Sequence, residues 1–444
     1  MSFETLGLSS ALLRALADQG YDTPTPVQLA AIPIAVSGRD LLAGAQTGTG
    51  KTAAFALPLL ERLFPDGKSP NGQNAPTARR KPRALILTPT RELAAQVHES
   101  IRAYGKFVRF QSTTIFGGVG MGPQIDALRR GVDILVATPG RLIDHLDRRG
   151  VDLSGIEILV LDEADRMLDM GFLPAMKKIL SALPKQNRQT LLFSATFADE
   201  IKRLAKEFMR DPAEVQVAAR NSVAAGVTHR VHPVDASRKR DLLLHIMAQD
   251  SRRQTLVFSR TKHGADKLAT FLEKSGLRTA AIHGNKSQGA RTRALADFKN
   301  GKVTVLVATD IAARGLDIDQ LPAVVNFDLP MVAEDYVHRI GRTGRAGAEG
   351  LAISLVTREE SRLLRDIRRM LKQEIAIENI EGFEPRELLQ LEGNMPGGSR
   401  PSHSKGPRNP NHARRPHASG PKKPHAAANK QHRSWRDQRD TRKA

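Results

Sequence analysis

Short apolar runs recur along most of this chain, at Leu85–Leu87, Ile134–Ala137, Ile158–Leu161, Leu191–Phe193, Leu256–Phe258, Val303–Ala308, Val324–Phe327 and Ile353–Val356. The runs are near-continuously apolar, so each reads as a strand buried on both faces. Helical periodicity fills most of the gaps, for example over Glu92–Tyr104 and Arg260–Ser275. Parallel neighbours need a crossover of a dozen or more residues, usually a helix. The pattern therefore predicts an α/β fold with parallel sheets covered on both faces.

A faint repeat divides the pattern in two. The stretch from Thr114 to Arg141 echoes that from Ala280 to Arg314, and Thr138 and Thr309 each follow a strand reading "LVAT". Two related domains are expected, over residues 1–217 and 228–375, joined by a linker at 218–227. Residues 376–392 would end the core. From Gly393 to Ala444 there are 13 Lys and Arg against two Asp and no Leu, Ile, Val, Phe or Tyr. Such a segment cannot bury enough surface to offset its ordering entropy, so 393–444 reads as a disordered basic tail, and it holds the only tryptophan, Trp435. Pro65–Arg83 reads as a flexible insert. The net charge of +21 points to a polyanionic partner, most simply nucleic acid. No cysteine is present, which excludes disulfides and thiolate metal sites. With no long apolar run and no signal-like N-terminus, a soluble, cytoplasmic chain away from membranes is expected.

Two motifs carry chemistry. In "LLAGAQTGTGKTAAF", a strand leads through Ala45, Gln46, Thr47, Gly48, Thr49 and Gly50 to Lys51 and Thr52 at the start of a helix. Glycines at a helix N-terminus let backbone N–H groups curl around phosphates. Lys51 would reach the β and γ phosphates and the Thr52 hydroxyl would ligate Mg²⁺. Ala45 stands where the strict pattern has glycine. In "LVLDEADRML", three carboxylates crowd the end of a strand. Asp162 suits a hydrated Mg²⁺, and Glu163 suits a water that attacks phosphate.

Together with "PTRELA" (Pro89–Ala94), "TPGR" (Thr138–Arg141), "SAT" (Ser194–Thr196), "ARGLD" (Ala313–Asp317) and "HRIGRTGR" (His338–Arg345), the "DEAD" of Asp162–Asp165 resembles the DEAD-box ATP-dependent RNA helicase family. The resemblance covers residues 1 to about 375 and is nearest the RhlE-type branch. It implies two tandem RecA-like domains, with ATP and Mg²⁺ as cofactors. "GYDTPTPVQ" resembles the family's Q motif, with Gln28 reading adenine, Tyr21 stacking on it and Phe3 as the isolated upstream aromatic. The resemblance also makes Arg342 and Arg345 arginine fingers on the γ-phosphate. His338, with Ser194 and Thr196, would link ATP state to closure, and Asp317 would contact the ribose.

Small hydroxyls, glycine N–H groups and arginines suit phosphates and 2′-OH groups. RNA contacts are accordingly expected from Pro89, Thr90, Arg91, Gly117, Gly118, Thr138, Arg141, Arg260, Gln288, Arg291 and Thr309, with Asp310 beside them. None suits base edges, so little sequence specificity is expected for single-stranded or short duplex RNA. RNA-stimulated hydrolysis would drive local, non-processive unwinding or ribonucleoprotein remodelling, with ribosomal precursors or RNA-decay complexes as family-level partners. The alternatives are an ATP-gated RNA clamp, which the complete "SAT" and finger motifs disfavour, and a metabolic P-loop enzyme, which the Q motif and the charge disfavour.

Overall fold

The computed structural model describes residues 2–45, 49–67, 80–217, 226–249, 254–313, 316, 318, 320–344 and 349–391. Gln46, Thr47, Gly48, Asp317, Arg345, the middle of the insert and the basic tail lie outside the described residues. Both sheets are parallel throughout and seven-stranded. The first contains β1 (Leu41–Gly44), β2 (Ala84–Leu87), β3 (Ser112–Ile115), β4 (Ile134–Ala137), β5 (Ile158–Leu161), β6 (Gln189–Ser194) and β7 (Ala213–Gln216). The second contains β8 (Val227–Pro233), β9 (Thr255–Phe258), β10 (Thr279–Ile282), β11 (Val305–Ala308), β12 (Ala323–Asn326), β13 (Gly350–Val356) and β14 (Ala376–Ile377).

Spatial order is β3-β4-β2-β5-β6-β1-β7 in one sheet and β10-β11-β9-β12-β13-β8-β14 in the other. Each strand of the second is thus its counterpart plus seven. The faint repeat is a repeat of topology, and the two "LVAT" segments close β4 and β11 at matching places.

Successive side chains feed opposite cores, as period-two geometry demands. Leu41 and Ala43 join the helices Ser10–Ala17, Pro26–Val36 and Lys51–Leu63 on one face, while Leu42 joins Pro139–Asp147 and Leu173–Ser181 on the other. In the second sheet Val257 and its neighbours Leu256 and Phe258 divide in the same way. No described helix is long and apolar enough to cross a membrane.

Two sequence expectations shift, and the end of the core at 376–392 gains detail. The insert from Pro65 to Arg83 is anchored at both ends: Pro65–Gly67 forms a 3-10 turn, and Arg83 binds Glu157 at 2.6 and 2.9 Å and the Leu63 carbonyl at 2.8 Å. Val227, expected in the linker, already pairs with Gly350 as the first residue of β8. Beyond residue 375 the chain adds β14 beside β8, and Ile380, Phe383, Leu389 and Leu391 pack onto the second half.

Candidate functional site: a nucleotide cleft beside a phosphate-binding face

The helix Lys51–Leu63 starts from Gly50, whose φ of 92° favours glycine. A side chain there would collide with the Gln28 amide. Gln28 is buried, and both ends of its amide are engaged. Its Oε1 accepts from the Thr25 N–H at 2.9 Å, completing a capping box, and its Nε2 donates to the Gly50 carbonyl at 3.1 Å. The adenine-reading candidate therefore also braces the phosphate loop.

Lys51, Asp162 and Glu163 are all buried, at 6%, 3% and 7% exposure. Lys51 Nζ, Asp162 Oδ1 and Glu163 Oε2 have no hydrogen-bond partner. All three residues line one cavity of about 710 Å³, with Tyr21, Gln28 and Thr52 from the first half and Leu316, Gln320 and Arg342 from the second. Buried polar atoms left without partners are costly unless a ligand completes them. Burial pushes the Asp162 carboxyl up to about 7, with the Glu163 and Asp165 charges adding and Lys51 opposing. Burial would raise Glu163 too, but the cations of Arg166, Lys51, Arg342 and His338 outweigh it and hold this carboxyl below its ordinary range. Of the two, Asp162 is the carboxyl that burial shifts toward its protonated form, and Glu163 the one that its neighbours keep ionised.

The donor set fits a magnesium nucleotide. Thr52 and Asp162 offer one hydroxyl and one carboxylate, and no cluster of three or more His, Asp or Glu with metal-binding geometry occurs among the described residues. Mg²⁺ is commonly held by one or two carboxylates plus phosphates and water rather than by an all-protein cage.

Beyond the cleft, loops at the C-terminal strand ends form a second face. Thr90 caps the helix Arg91–Tyr104 by accepting from the Leu93 N–H at 3.3 Å. The Arg91 guanidinium lies over Gly117 and Gly118, so a Cβ at Gly118 would collide with it, and the φ of 79° there also selects glycine. Arg141 donates to the Val119 carbonyl at 3.1 Å and pairs with Asp144 at 3.3 Å. Pro89, Thr138 and Thr309 are buried at the ends of β2, β4 and β11.

The DEAD/DEAH box helicase family model matches residues 25–204, and the helicase conserved C-terminal domain model matches residues 238–347. The DEAD-box ATP-dependent RNA helicase CshA of Bacillus subtilis is 43% identical over 375 residues, covering 84% of this chain and 73% of that one. The chain belongs to the DEAD-box ATP-dependent RNA helicases. CshA of Bacillus cereus is 42% identical over 374 residues, covering 84% of this chain and 69% of its own. Among solved structures, S. cerevisiae Dbp5 bound to RNA and ADP BeF3 is similar, with a TM-score of 0.74, 31% identity and coverage of 85% and 95%.

In this DEAD-box protein the remaining expected residues take up the following places. Phe3 is in the hydrophobic core of the first half, because an aromatic flanked by Leu6 and Leu8 gains more from burial than from a solvent-facing cleft. Tyr21 stays 44% exposed at the cleft, its ring 6.1 Å from that of Tyr104. His338 meets Arg166 of the first half, its Nδ1 lying 3.2 Å from Arg166 Nη2. The Ser194 hydroxyl donates to the Thr196 carbonyl at 2.7 Å and accepts from the Thr196 N–H at 3.3 Å. Asp165 accepts from the Ala195 N–H at 3.0 Å and so joins "DEAD" to "SAT".

Gln288 and Arg291, expected on RNA, instead bridge the two halves. Gln288 Nε2 donates to Glu92 Oε1 and Arg291 Nη2 pairs with Glu92 Oε2, both at 2.8 Å. Three residues apart at a helix start, they share one side and converge on a carboxylate. Asp310 is likewise taken up by Arg339, at 2.6 and 2.7 Å.

Sequence reasoning also missed Thr261, Lys262 and Gly284. Thr261 caps the helix Lys262–Lys274 through the Gly264 N–H at 2.9 Å, as Thr90 does in the first half. A Cβ on Gly284 would lie 3.5 Å from the Lys262 side chain, and Lys262 donates to Asn285 Oδ1 at 3.1 Å. Extending the internal repeat from β4 and β11 to β2 and β9, and to β3 and β10, would have found them.

Proposed function

We propose that ATP and Mg²⁺ occupy the cleft, that RNA lies across the strand-end face of both halves, and that RNA drives hydrolysis by holding the halves closed. Lys51 neutralises the β and γ phosphates, while Thr52 and Asp162 hold the ion, which when bound draws off negative charge from the phosphates. Glu163 orients the attacking water and accepts its proton, a role suited to the carboxyl of the pair that stays ionised. Gln28 reads adenine by exchanging one of its backbone bonds for the base. Arg342 faces the γ-phosphate, with Arg345 assigned beside it from the sequence. The observation that carries this reading is the presence of Arg342, from the second half, in the same cavity as Lys51 and Glu163.

Thr90, Arg91, Gly117, Gly118, Thr138 and Arg141 would hold one stretch of backbone, and Arg260, Thr261, Lys262, Gly284 and Thr309 the next. All offer hydroxyls, cations or backbone N–H groups, so recognition is of phosphate and ribose. The likeness to Dbp5 in its RNA-bound form supports this face. Closure bends a strand out of duplex geometry. With stacking in DNA at roughly 1.4 kcal/mol per step, one closure disrupts only a few pairs. Unwinding is therefore local, in the cytoplasm, on precursor ribosomes or decaying RNA. The basic tail after a short core favours the RhlE-type branch, while the relatives at 42% and 43% identity carry the name CshA.

Arg342→Ala tests the reading. Turnover at saturating RNA falls by on the order of 10³-fold, as when other arginine fingers are removed. Binding of mant-ATP changes little. A collapse in ATP affinity with turnover preserved at saturation would make Arg342 a ground-state ligand and overturn the assignment.

A further inference from the structure

Away from the cleft, the second half holds a buried charge cluster centred on Glu360, in the turn after β13 and 6% exposed. Its Oε1 accepts from Arg260 Nη2 at 3.0 Å and from the Leu329 N–H at 3.1 Å. Its Oε2 accepts from Lys239 Nζ at 2.7 Å and from the Thr357 N–H at 3.1 Å. The four donors come from four separate segments: the ends of β9, β12 and β13, and the start of the helix Lys239–Gln249.

One of those donors leads to the nucleotide side. The N–H of Leu329 and the carbonyl of Asp328 belong to a single peptide unit. Glu360 holds its nitrogen end, and Arg339 Nη1 donates to its oxygen end at 2.6 Å. Arg339 lies in the helix Ala333–Ile340, three residues before Arg342. At the other end of the chain of bonds, Arg260 keeps 43% of its side chain exposed on the strand-end face.

We propose that Glu360 is a positioning residue that couples RNA contact at Arg260 to the placement of Arg342. The inference rests on the roles given above for those two arginines. A phosphate drawing on the exposed edge of Arg260 loads the carboxylate that holds its other edge. That carboxylate is bonded to a rigid peptide plane, and the plane is bonded to the guanidinium beside the finger. In a close-packed interior, such a load moves the bonded segments together rather than dissipating locally. A carboxylate that merely stapled the fold would affect melting and leave the RNA-dependent step alone.

The test uses the full chain with Glu360→Gln, and with Lys239→Gln/Glu360→Gln, which leaves no lone buried ammonium if the single variant folds poorly. Turnover at saturating RNA is expected to fall about tenfold in both, within the usual range of coupling between sites. Affinity for mant-ATP should hold. Adding Arg260→Ala to Glu360→Gln should cost little more turnover than the worse single change, because both break one link. Parental turnover in both Glu360 variants, with Arg342→Ala inactive, overturns the link alone. Turnover losses that multiply when Arg260→Ala and Glu360→Gln are combined also overturn it. Parental turnover in Arg342→Ala overturns the cleft assignment and the link with it.

Discussion

Replacing Glu92 by alanine should separate closure from folding. In the closed arrangement the Glu92 and Arg291 side chains are 7% and 9% exposed and 2.8 Å apart, and Gln288 uses the other carboxylate oxygen. Removing the carboxylate leaves a guanidinium and an amide facing each other with that acceptor gone. Breaking a buried pair from one side costs about 3–5 kcal/mol. At the lower end of that range, about 3 kcal/mol is roughly two decades in an equilibrium constant. When the halves separate, all three groups return to water, so the cost falls on closure and not on the stability of either half. Dyes placed on the two halves would report closure by energy transfer, with RNA titrated against a non-hydrolysable ATP analogue. The RNA concentration at half-closure is expected to rise about a hundredfold while the melting temperature hardly moves. Glu92→Gln, which keeps the contact with Gln288 but loses the charge, should fall between. A midpoint within threefold of the parent would refute the reasoning and leave the bridge without energetic weight.

Other outcomes follow from the cleft and the tail. Lys51→Ala should lose turnover because phosphate charge is left unneutralised, whereas Glu163→Gln should bind ATP and RNA yet hydrolyse slowly; near-normal turnover in either removes the assignment. With its carboxyl at about 7 in the free site, Asp162 carries a proton below neutrality and must shed it to hold a cation. Mg²⁺ affinity, read by calorimetry with ADP present, should weaken as pH falls from 8 to 6, approaching tenfold per unit below 7; a flat profile would mean the carboxyl is already ionised. A chain ending at Glu392 should keep RNA-stimulated turnover at saturation but need more RNA. If five of the 13 basic tail residues engage, the salt dependence of affinity should lose a slope of roughly 3 to 4, and equal slopes would show that the tail does not touch RNA.

Much of this was legible because it is local. A strand buried on both faces shows as a short apolar run, and a phosphate loop shows as glycines between a strand and a helix. What escaped depends on partners far along the chain. Arg291 reads as a phosphate ligand until Glu92 is found opposite it, nearly 200 residues earlier. The contact of His338 with Arg166 joins residues 172 apart in the chain. Phe3 has the right type and spacing for a cleft aromatic, but Leu6 and Leu8 beside it carry it into the core. Thr261 and Lys262 were within reach, since the repeat that paired Thr138 with Thr309 also pairs them with Thr90 and Arg91.

Glu163 caps the helix Ala164–Asp169 with a φ of 52° and a ψ of 52°. The left-handed region suits glycine and costs other residues on the order of 1–3 kcal/mol. At this position the most comfortable residue for the backbone is therefore not the one the chemistry uses. Glycine would relax that turn, yet it would also remove the carboxylate that sits 3.6 Å from the buried Arg166 guanidinium and beside the Lys51 charge. Breaking a buried pair from one side costs about 3–5 kcal/mol, more than the relaxed backbone returns. The strained turn is therefore held in place by charge, and Glu163→Gly should lower the melting temperature as well as abolish turnover.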